Sequence, residues 1–229
     1  LFLFFEGVNS VADVFVNRKT VGQHKGGYTA FCFEITDYVK PGKNNLQVWA
    51  SNAFRTDVLP IAGDFNVYGG MHRPCRLIVT EKDCISPLFF ASPGVLVRQD
   101  KVDAQQAELT IETHLSRKSG TKGLRLKTII ADAMGKIVAE TETDADNDIV
   151  KQNVIVQKPT LWNGRENPYL YTVTTTLLNG EKKIDSQTVQ TGLRYFHVDA
   201  EQGFFLNGKH YYLYGVNRHE DVDGKGSAV

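Results

Sequence analysis

The sequence predicts an all-β chain: two successive β-sandwiches, then a hairpin and one further strand. Three observations carry that prediction. Apolar residues recur with period two along most of the chain, and helical periodicity is nearly absent. Turn signals such as Pro41-Gly42-Lys43-Asn44-Asn45, Lys118-Ser119-Gly120 and Asn179-Gly180 punctuate the apolar runs at short intervals. The pattern also restarts after Ile85-Ser86-Pro87 and again after Gly192, which divides the chain into 1–84, 85–193 and 194–229.

In the first segment, Leu1-Phe2-Leu3-Phe4-Phe5 reads as a strand already in progress. Val14-Phe15-Val16 leads into a polar turn at Asn17-Arg18-Lys19-Thr20, and Tyr28 to Ile35 alternates as a half-buried strand does. Strands at Leu46–Ala50 and Arg76–Val79 complete the segment. In the second, strands are expected at Gly94–Arg98, Ala107–His114, Leu124–Ala131, Lys136–Thr143, Asn153–Gln157, Tyr169–Leu177 and Gln187–Gln190. Their number and spacing match an immunoglobulin-like sandwich, in architecture only, because the Cys…Trp…Cys pattern of antibody domains is missing. In the third, Tyr195–Val198 and Phe204–Leu206 precede Asn207-Gly208, a two-residue hairpin turn. The strand Tyr211–Val216 is aromatic on both faces, which predicts burial on both sides.

Composition narrows the function classes. The 229 residues carry 26 Lys+Arg against 26 Asp+Glu, so no basic field exists to attract nucleic acid or an anionic membrane. No apolar run approaches the roughly 18 residues of a membrane span. Neither nucleic acid nor a membrane is therefore expected as a partner. Cys32, Cys75 and Cys84 are widely spaced and read as small apolar residues, with a Cys75–Cys84 bridge left open. The chain shows no initiator Met, basic leader or cleavage site, and both ends read as cut. The expectation is an excised piece of a longer protein, with localisation not encoded.

Two segments are chemically dense. Asp64-Phe65-Asn66-Val67-Tyr68-Gly69-Gly70-Met71-His72-Arg73 sets a carboxylate, an amide, an aromatic ring and a guanidinium on a Gly-rich loop before a strand. Those groups recognise sugar hydroxyls; an Arg73–Asp64 pair bracing the turn is the structural alternative. Asn217-Arg218-His219-Glu220-Asp221 follows the aromatic strand, as polar residues do at the rim of a barrel active site. Asp144, Asp146 and Asp148 have the opening spacing of a calcium loop, but Ile149 and Ile155 stand where Gly and Glu are needed, so a solvated acidic turn is expected.

At these residues the chain resembles glycoside hydrolase family 2, the β-galactosidase and β-glucuronidase group. Glu6-Gly7-Val8 through Val14–Asn17, Gly26-Gly27-Tyr28, Phe33–Thr36 and Gly69–Arg73 resemble its sugar-binding-like jelly roll. Leu161-Trp162 with Glu166–Tyr171 resembles the motif of its immunoglobulin-like domain. Phe205–Lys209 and Gly215–Asp221 resemble the lead-in to its (β/α)8 barrel and the first barrel strand. Two departures stand out: His72 where an aromatic is usual, and Pro74-Cys75 in place of Asp-Val.

The resemblance implies a jelly roll whose opening strands are missing (1–84), an immunoglobulin-like sandwich (85–193) and the start of a truncated barrel (194–229). It implies a retaining exo-β-glycosidase, foremost a β-galactosidase. β-Glucuronidase is the alternative within the family, and a non-catalytic two-sandwich carbohydrate-binding module the alternative outside it. Both catalytic glutamates of the family would lie downstream, leaving this chain inactive alone. His219 is expected to hydrogen-bond the glycone, Asp64 to reach a sugar hydroxyl with help from Asn66, and Asn217 and Arg218 to support the rim. Expected partners are a β-linked galactoside or related sugar, the chain's own barrel and further copies in a homo-oligomer. No cofactor is implied for this chain, and magnesium or sodium for the full-length enzyme.

Overall fold

The computed structural model describes residues 1–59, 67–217 and 222–225. It is all-β apart from a single 3-10 turn over Thr36–Tyr38 among the described residues. The chain divides into two compact units, Leu1–Val79 with Val216–Val229, and Thr80–Gly215.

The first unit contains β1 (Phe2–Phe5), β2 (Val11–Val16), β3 (Lys19–Lys25), β4 (Phe31–Glu34), β5 (Leu46–Ser51) and β6 (Cys75–Ile78). They form two antiparallel three-stranded sheets, ordered β4-β1-β6 and β3-β2-β5. The alternation explains the core: Leu3 and Phe5 of β1 and Ala12, Val14 and Val16 of β2 are buried with Val8, Phe31 and Ile35. The Phe5 and Phe31 rings stack with centroids 4.6 Å apart. A turn at Asn17 and Arg18, both with positive φ, returns β2 directly into β3. The polar residues from Lys19 onward therefore belong to a strand rather than to a four-residue turn. The outermost strands expose apolar side chains, with Trp49 of β5 64% and Leu77 of β6 57% accessible.

The second unit is the immunoglobulin-like sandwich. It contains β7 (Asp83–Ile85), β8 (Val95–Val102), β9 (Gln106–Arg117), β10 (Leu124–Ala131), β11 (Ile137–Asp144), β12 (Ile149–Gln157), β13 (Tyr171–Asn179) and β14 (Lys182–Thr191). One sheet runs β11-β10-β13-β14. In the other, β12 pairs one edge of β9, while β8 and β7 share the opposite edge, at 107–113 and 115–117. Strict alternation of burial along β12 turns Val150, Gln152, Val154 and Val156 inward, onto a core with Leu109, Ile111, Leu126, Ile130, Val173 and Leu177. No disulfide joins the three cysteines: Cys75 is exposed on β6, and Cys84 is buried on β7.

Asp83 ties β7 to the β9–β10 loop, accepting bonds from the Ser119 amide (2.9 Å) and the Ser119 hydroxyl. Burial alone would push its carboxyl up, but the Ser119, Thr121 and Lys118 hydrogen bonds together outweigh it and hold the group below its ordinary value. A carboxyl that titrates lower folded than unfolded contributes stability that is complete above the unfolded value, ~3.9 for Asp. That stability is lost as pH falls through the lower folded value. Acid titration of unfolding should therefore show destabilisation below about pH 4 that weakens in Asp83→Asn. An unchanged acid slope in that variant would count against this assignment.

Within the same unit, β15 (Phe196–Asp199), β16 (Gly203–Leu206) and β17 (Lys209–His210) form a three-stranded sheet. Asn207 and Gly208, both with positive φ, make the hairpin turn between β16 and β17. The buried strand expected over Tyr211–Val216 is not present. These residues carry no regular secondary structure, and Tyr212, Tyr214 and Val216 are 70%, 83% and 93% exposed. A strand needs a ladder partner; here only Tyr211 finds one, its amide donating to the Phe204 carbonyl of β16 at 2.9 Å, and no strand pairing continues beyond it among the described residues. No closed barrel is formed among the described residues.

Candidate functional site

Of the expected sugar-contacting residues, Asp64, Asn66, Arg218 and His219 lie outside the described residues. Asn217 is described and exposed, at the end of the segment after β17. The structure does define how the loop bearing Asp64 and Asn66 is entered and left.

At the entry, Asp57 gathers two cations. Arg55 Nε and Nη2 donate to its carboxylate at 2.7 and 2.8 Å, and Lys25 Nζ reaches it at 2.6 Å. The hydrogen bond from Arg55, followed by that from Lys25, holds the Asp57 carboxyl well below the ordinary range. Val58 is buried beside them. Asp57 thus ties the start of the loop to the end of β3 through Lys25.

At the exit, two side-chain amides hold consecutive carbonyls. Asn52 Nδ2, just after β5, donates to the Val67 carbonyl at 2.9 Å. Asn9 Nδ2, in the β1–β2 connection, donates to the Tyr68 carbonyl at 2.6 Å. The backbones of Asn9 and Gly70 exchange hydrogen bonds of 2.9 Å in both directions. Asn9 is 2% exposed, and its Oδ1 accepts the Ser10 hydroxyl at 2.7 Å. Gly69 lies so close to Asn52 that a Cβ there would sit 2.8 Å from Asn52 Cγ. Further on, Arg73 Nη1 donates to the Tyr28 carbonyl at 2.9 Å, and the His72 ring tilts against Tyr28 at 5.7 Å. Arg73 therefore braces the turn through a carbonyl; whether it also meets Asp64 lies outside the described residues.

Asn9 and Asn52 had not been identified from the sequence. Their partners lie 59 and 15 positions away, and a buried amide leaves no periodic trace. The available signal was the Gly69-Gly70 pair, which marks a close approach without naming the neighbour.

The segment before Asn217 is anchored by a second set of contacts. Asn207 Nδ2 donates to the Trp162 carbonyl at 3.0 Å and to Asn163 Oδ1 at 2.6 Å, while its Oδ1 accepts the Tyr195 amide at 3.1 Å. The Arg194 guanidinium lies 5.1 Å over the Trp162 ring. The Leu161-Trp162 motif thus clamps the hairpin onto the sandwich. Tyr211 Oη accepts the Arg165 amide at 3.3 Å.

Three other titratable groups in the first unit are displaced by burial. Burial lowers the His24 value, and the ring stacks on Phe31 at 4.2 Å. Burial pushes the Cys32 thiol up to about 11 and also raises Cys75, so both remain protonated and poorly nucleophilic at neutral pH. Among the described residues no group of three or more His, Cys, Asp or Glu is placed to hold a metal ion.

Comparison with known proteins gives a consistent picture. Residues 1–81 match the model of the sugar binding domain of glycosyl hydrolases family 2, and residues 93–194 match the glycosyl hydrolases family 2 model. A β-glucuronidase from Bacteroides fragilis is 47% identical over 234 residues, covering 100% of this chain and 34% of that protein. A β-galactosidase from Thermoanaerobacter pseudethanolicus is 31% identical over 236 residues, covering 100% and 30%. The crystal structure of Bacteroides uniformis β-glucuronidase superposes with a TM-score of 0.93 at 32% identity, covering 100% of this chain and 28% of that one. The chain thus spans about a third of the length of the curated relatives it matches.

Proposed function

Since the chain belongs to glycosyl hydrolases family 2, we propose that it forms the amino-terminal sandwich domains of a longer, retaining exo-β-glycosidase. The observation that carries this reading is the match of both family models, in order, across the two sandwiches. The role assigned to the chain is to support a catalytic barrel and to complete its glycone pocket.

In that role, Asp64 accepts a hydrogen bond from a sugar hydroxyl, with Asn66 beside it. His219 donates to the glycone as the ring flattens toward the oxocarbenium ion, and Asn217 and Arg218 shape the rim. The nucleophile and the acid/base, two carboxyl groups about 5–5.5 Å apart in a retaining enzyme, are assigned to the barrel outside this chain. The chain alone is then a binding and supporting element without turnover. The magnesium or sodium expected for the full-length enzyme is given no ligand here, because the described residues present no suitable cluster.

Two substrates have support. A β-glucuronide is favoured by the Bacteroides fragilis relative at 47% identity, and a β-galactoside by the Thermoanaerobacter relative at 31%. The family membership extends to both. Assaying the full-length protein on nitrophenyl β-glucuronide and β-galactoside separates them. We expect turnover of one substrate with the sugar released in its β configuration, and none from residues 1–229 alone. Failure of the full-length protein on both substrates sinks the glycosidase reading. Turnover by the 229-residue chain would sink the placement of the carboxylates.

A further inference from the structure

We propose that Asn179 is a site of spontaneous deamidation that the fold leaves open, while it closes the same reaction at Asn163 and Asn207. The modification is independent of the glycosidase reading. Three asparagines of the chain precede glycine, at 163–164, 179–180 and 207–208. Glycine makes each a candidate for the same chemistry, because no Cβ shields the following amide nitrogen. That nitrogen gives up its proton and attacks the side-chain carbonyl carbon of the asparagine. The carbon–nitrogen bond of the side-chain amide breaks, and ammonia leaves with the transferred proton. Water then opens the cyclic succinimide at either carbonyl, which yields aspartate or isoaspartate. Water is the sole co-reactant, and nothing is oxidised or reduced.

The reacting dipeptide is the same at the three sites, so the fold decides between them. At Asn207 the whole carboxamide is in use. Its Nδ2 donates to the Trp162 carbonyl at 3.0 Å and to Asn163 Oδ1 at 2.6 Å, and its Oδ1 accepts the Tyr195 amide at 3.1 Å. The Asn207 main-chain amide also donates to the Tyr195 carbonyl at 2.9 Å. Turning the side chain toward Gly208 would give up all of its bonds. Asn163 is the acceptor in that cluster, and its own main-chain amide donates to the Asn167 carbonyl at 2.8 Å. Gly164 is buried and so close to Tyr211 that a Cβ would sit 2.3 Å from the hydroxyl. Its nitrogen has no room to swing toward the Asn163 side chain.

Asn179 shares none of these restraints. It is the last residue of β13 and exposed, and its side chain makes no hydrogen bond among the described residues. The ladder ends at the Asn179–Lys182 pair, so Gly180 stands outside it, with positive φ, in the turn. The hairpin also accommodates one of the products. A carboxylate at position 179 would stand opposite Lys182 in register, and Arg125 already donates to the Gly180 carbonyl at 3.3 Å. Isoaspartate instead adds a methylene to the main chain, which breaks the register with Leu124 and Lys182. Reaction at this turn therefore changes the charge of the hairpin in one product and its backbone path in the other.

The test follows deamidation of the full-length protein in mildly alkaline buffer, native and in urea, by mass spectrometry of acid-protease peptides. In the native protein the gain of about one mass unit should appear at Asn179 at least about ten-fold faster than at Asn163 or Asn207. In urea the three rates should converge, because the restraints on Asn163 and Asn207 are gone. Asn179→Gln, whose longer side chain closes the ring far more slowly, should abolish the native gain at that position. Native reaction at Asn163 or Asn207 as fast as at Asn179 overturns the proposal. A native Asn179 that stays unmodified while it reacts in urea does the same. Rates that remain far apart in urea would overturn the fold as the cause of the difference.

Discussion

Replacing Gln152 by leucine should destabilise the second unit by about 2–4 kcal/mol, although leucine is apolar and of similar size. Gln152, on β12, is 1% exposed and bridges the two sheets of the sandwich. Its Nε2 donates to the Leu126 carbonyl at 2.8 Å, and its Oε1 accepts from the Thr128 hydroxyl at 2.6 Å. That bond uses the only hydroxyl proton of Thr128, so the 2.9 Å contact with Thr175 has Thr175 as the donor. The result is a directional chain, Thr175 to Thr128 to Gln152 to Leu126, sealed among residues of negligible exposure.

Leucine would bury a similar volume but leave one hydroxyl proton of the buried Thr128–Thr175 pair without an acceptor, at about 1–3 kcal/mol, and would remove the bond that the Leu126 carbonyl accepts from the amide, at about 0.5–1.5 kcal/mol. The triple variant Thr128→Val, Gln152→Leu, Thr175→Val removes the stranded hydroxyls together and should recover a large part of the loss. Urea midpoints of the single and triple variants decide the matter. A triple variant less stable than Gln152→Leu would show that the network is worth more than its satisfied bonds.

This network illustrates which parts of the fold were legible. Strands β9, β10, β12 and β13 alternate apolar residues with polar ones at the surface, and each was placed from periodicity to within a few residues. Gln152 lies just outside the strand expected over 153–157, and no apolar pattern marks an amide that finds two partners in the core, the Thr128 hydroxyl and the Leu126 carbonyl. Strand β3, Lys-Thr-Val-Gly-Gln-His-Lys, was invisible because it is polar and largely exposed, held as a strand by pairing with β2. Strand β14 was recognised over only four of its residues, since its Ser, Thr and Gln side chains carry little apolar signal. Tyr211–Val216 failed in the opposite sense. Its side chains fit a buried strand, but pairing depends on neighbours that no local pattern encodes.

The candidate site follows the same rule. Residue chemistry, an acid, an amide and an aromatic around a double glycine, marked the 64–73 loop as dense. The residues that hold the described end of the loop are Asn9, from the β1–β2 connection, and Asn52, from the far end of the same β5–β6 connection, and only the folded chain brings them together.

Substituting Gly27 by alanine should be among the most damaging single-methyl changes in the first unit. A Cβ on Gly27 would lie 2.1 Å from Asn9 Oδ1 and 2.8 Å from Asn9 Cγ, so the two cannot coexist in place. A flexible, exposed side chain could turn aside at little cost, but Asn9 cannot. It is 2% exposed, its oxygen accepts the Ser10 hydroxyl, and its nitrogen holds the Tyr68 carbonyl. Accommodating the methyl means either overpacking, at about 1–3 kcal/mol, or expelling the amide and stranding its partners at a similar cost. We expect a loss of about 3 kcal/mol in thermal or urea unfolding. Gly215→Ala is the control, because no atom lies within 4 Å of its Cβ position. The two damaged residues also predict each other. Asn9→Ala alone should destabilise by removing the amide, and adding Gly27→Ala should then cost much less than in the parent, since the two nearest atoms are absent and only the residue 9 Cβ, 3.2 Å away, remains. Losses that simply add in the double variant would mean that Gly27 is needed for a reason other than the approach of Asn9.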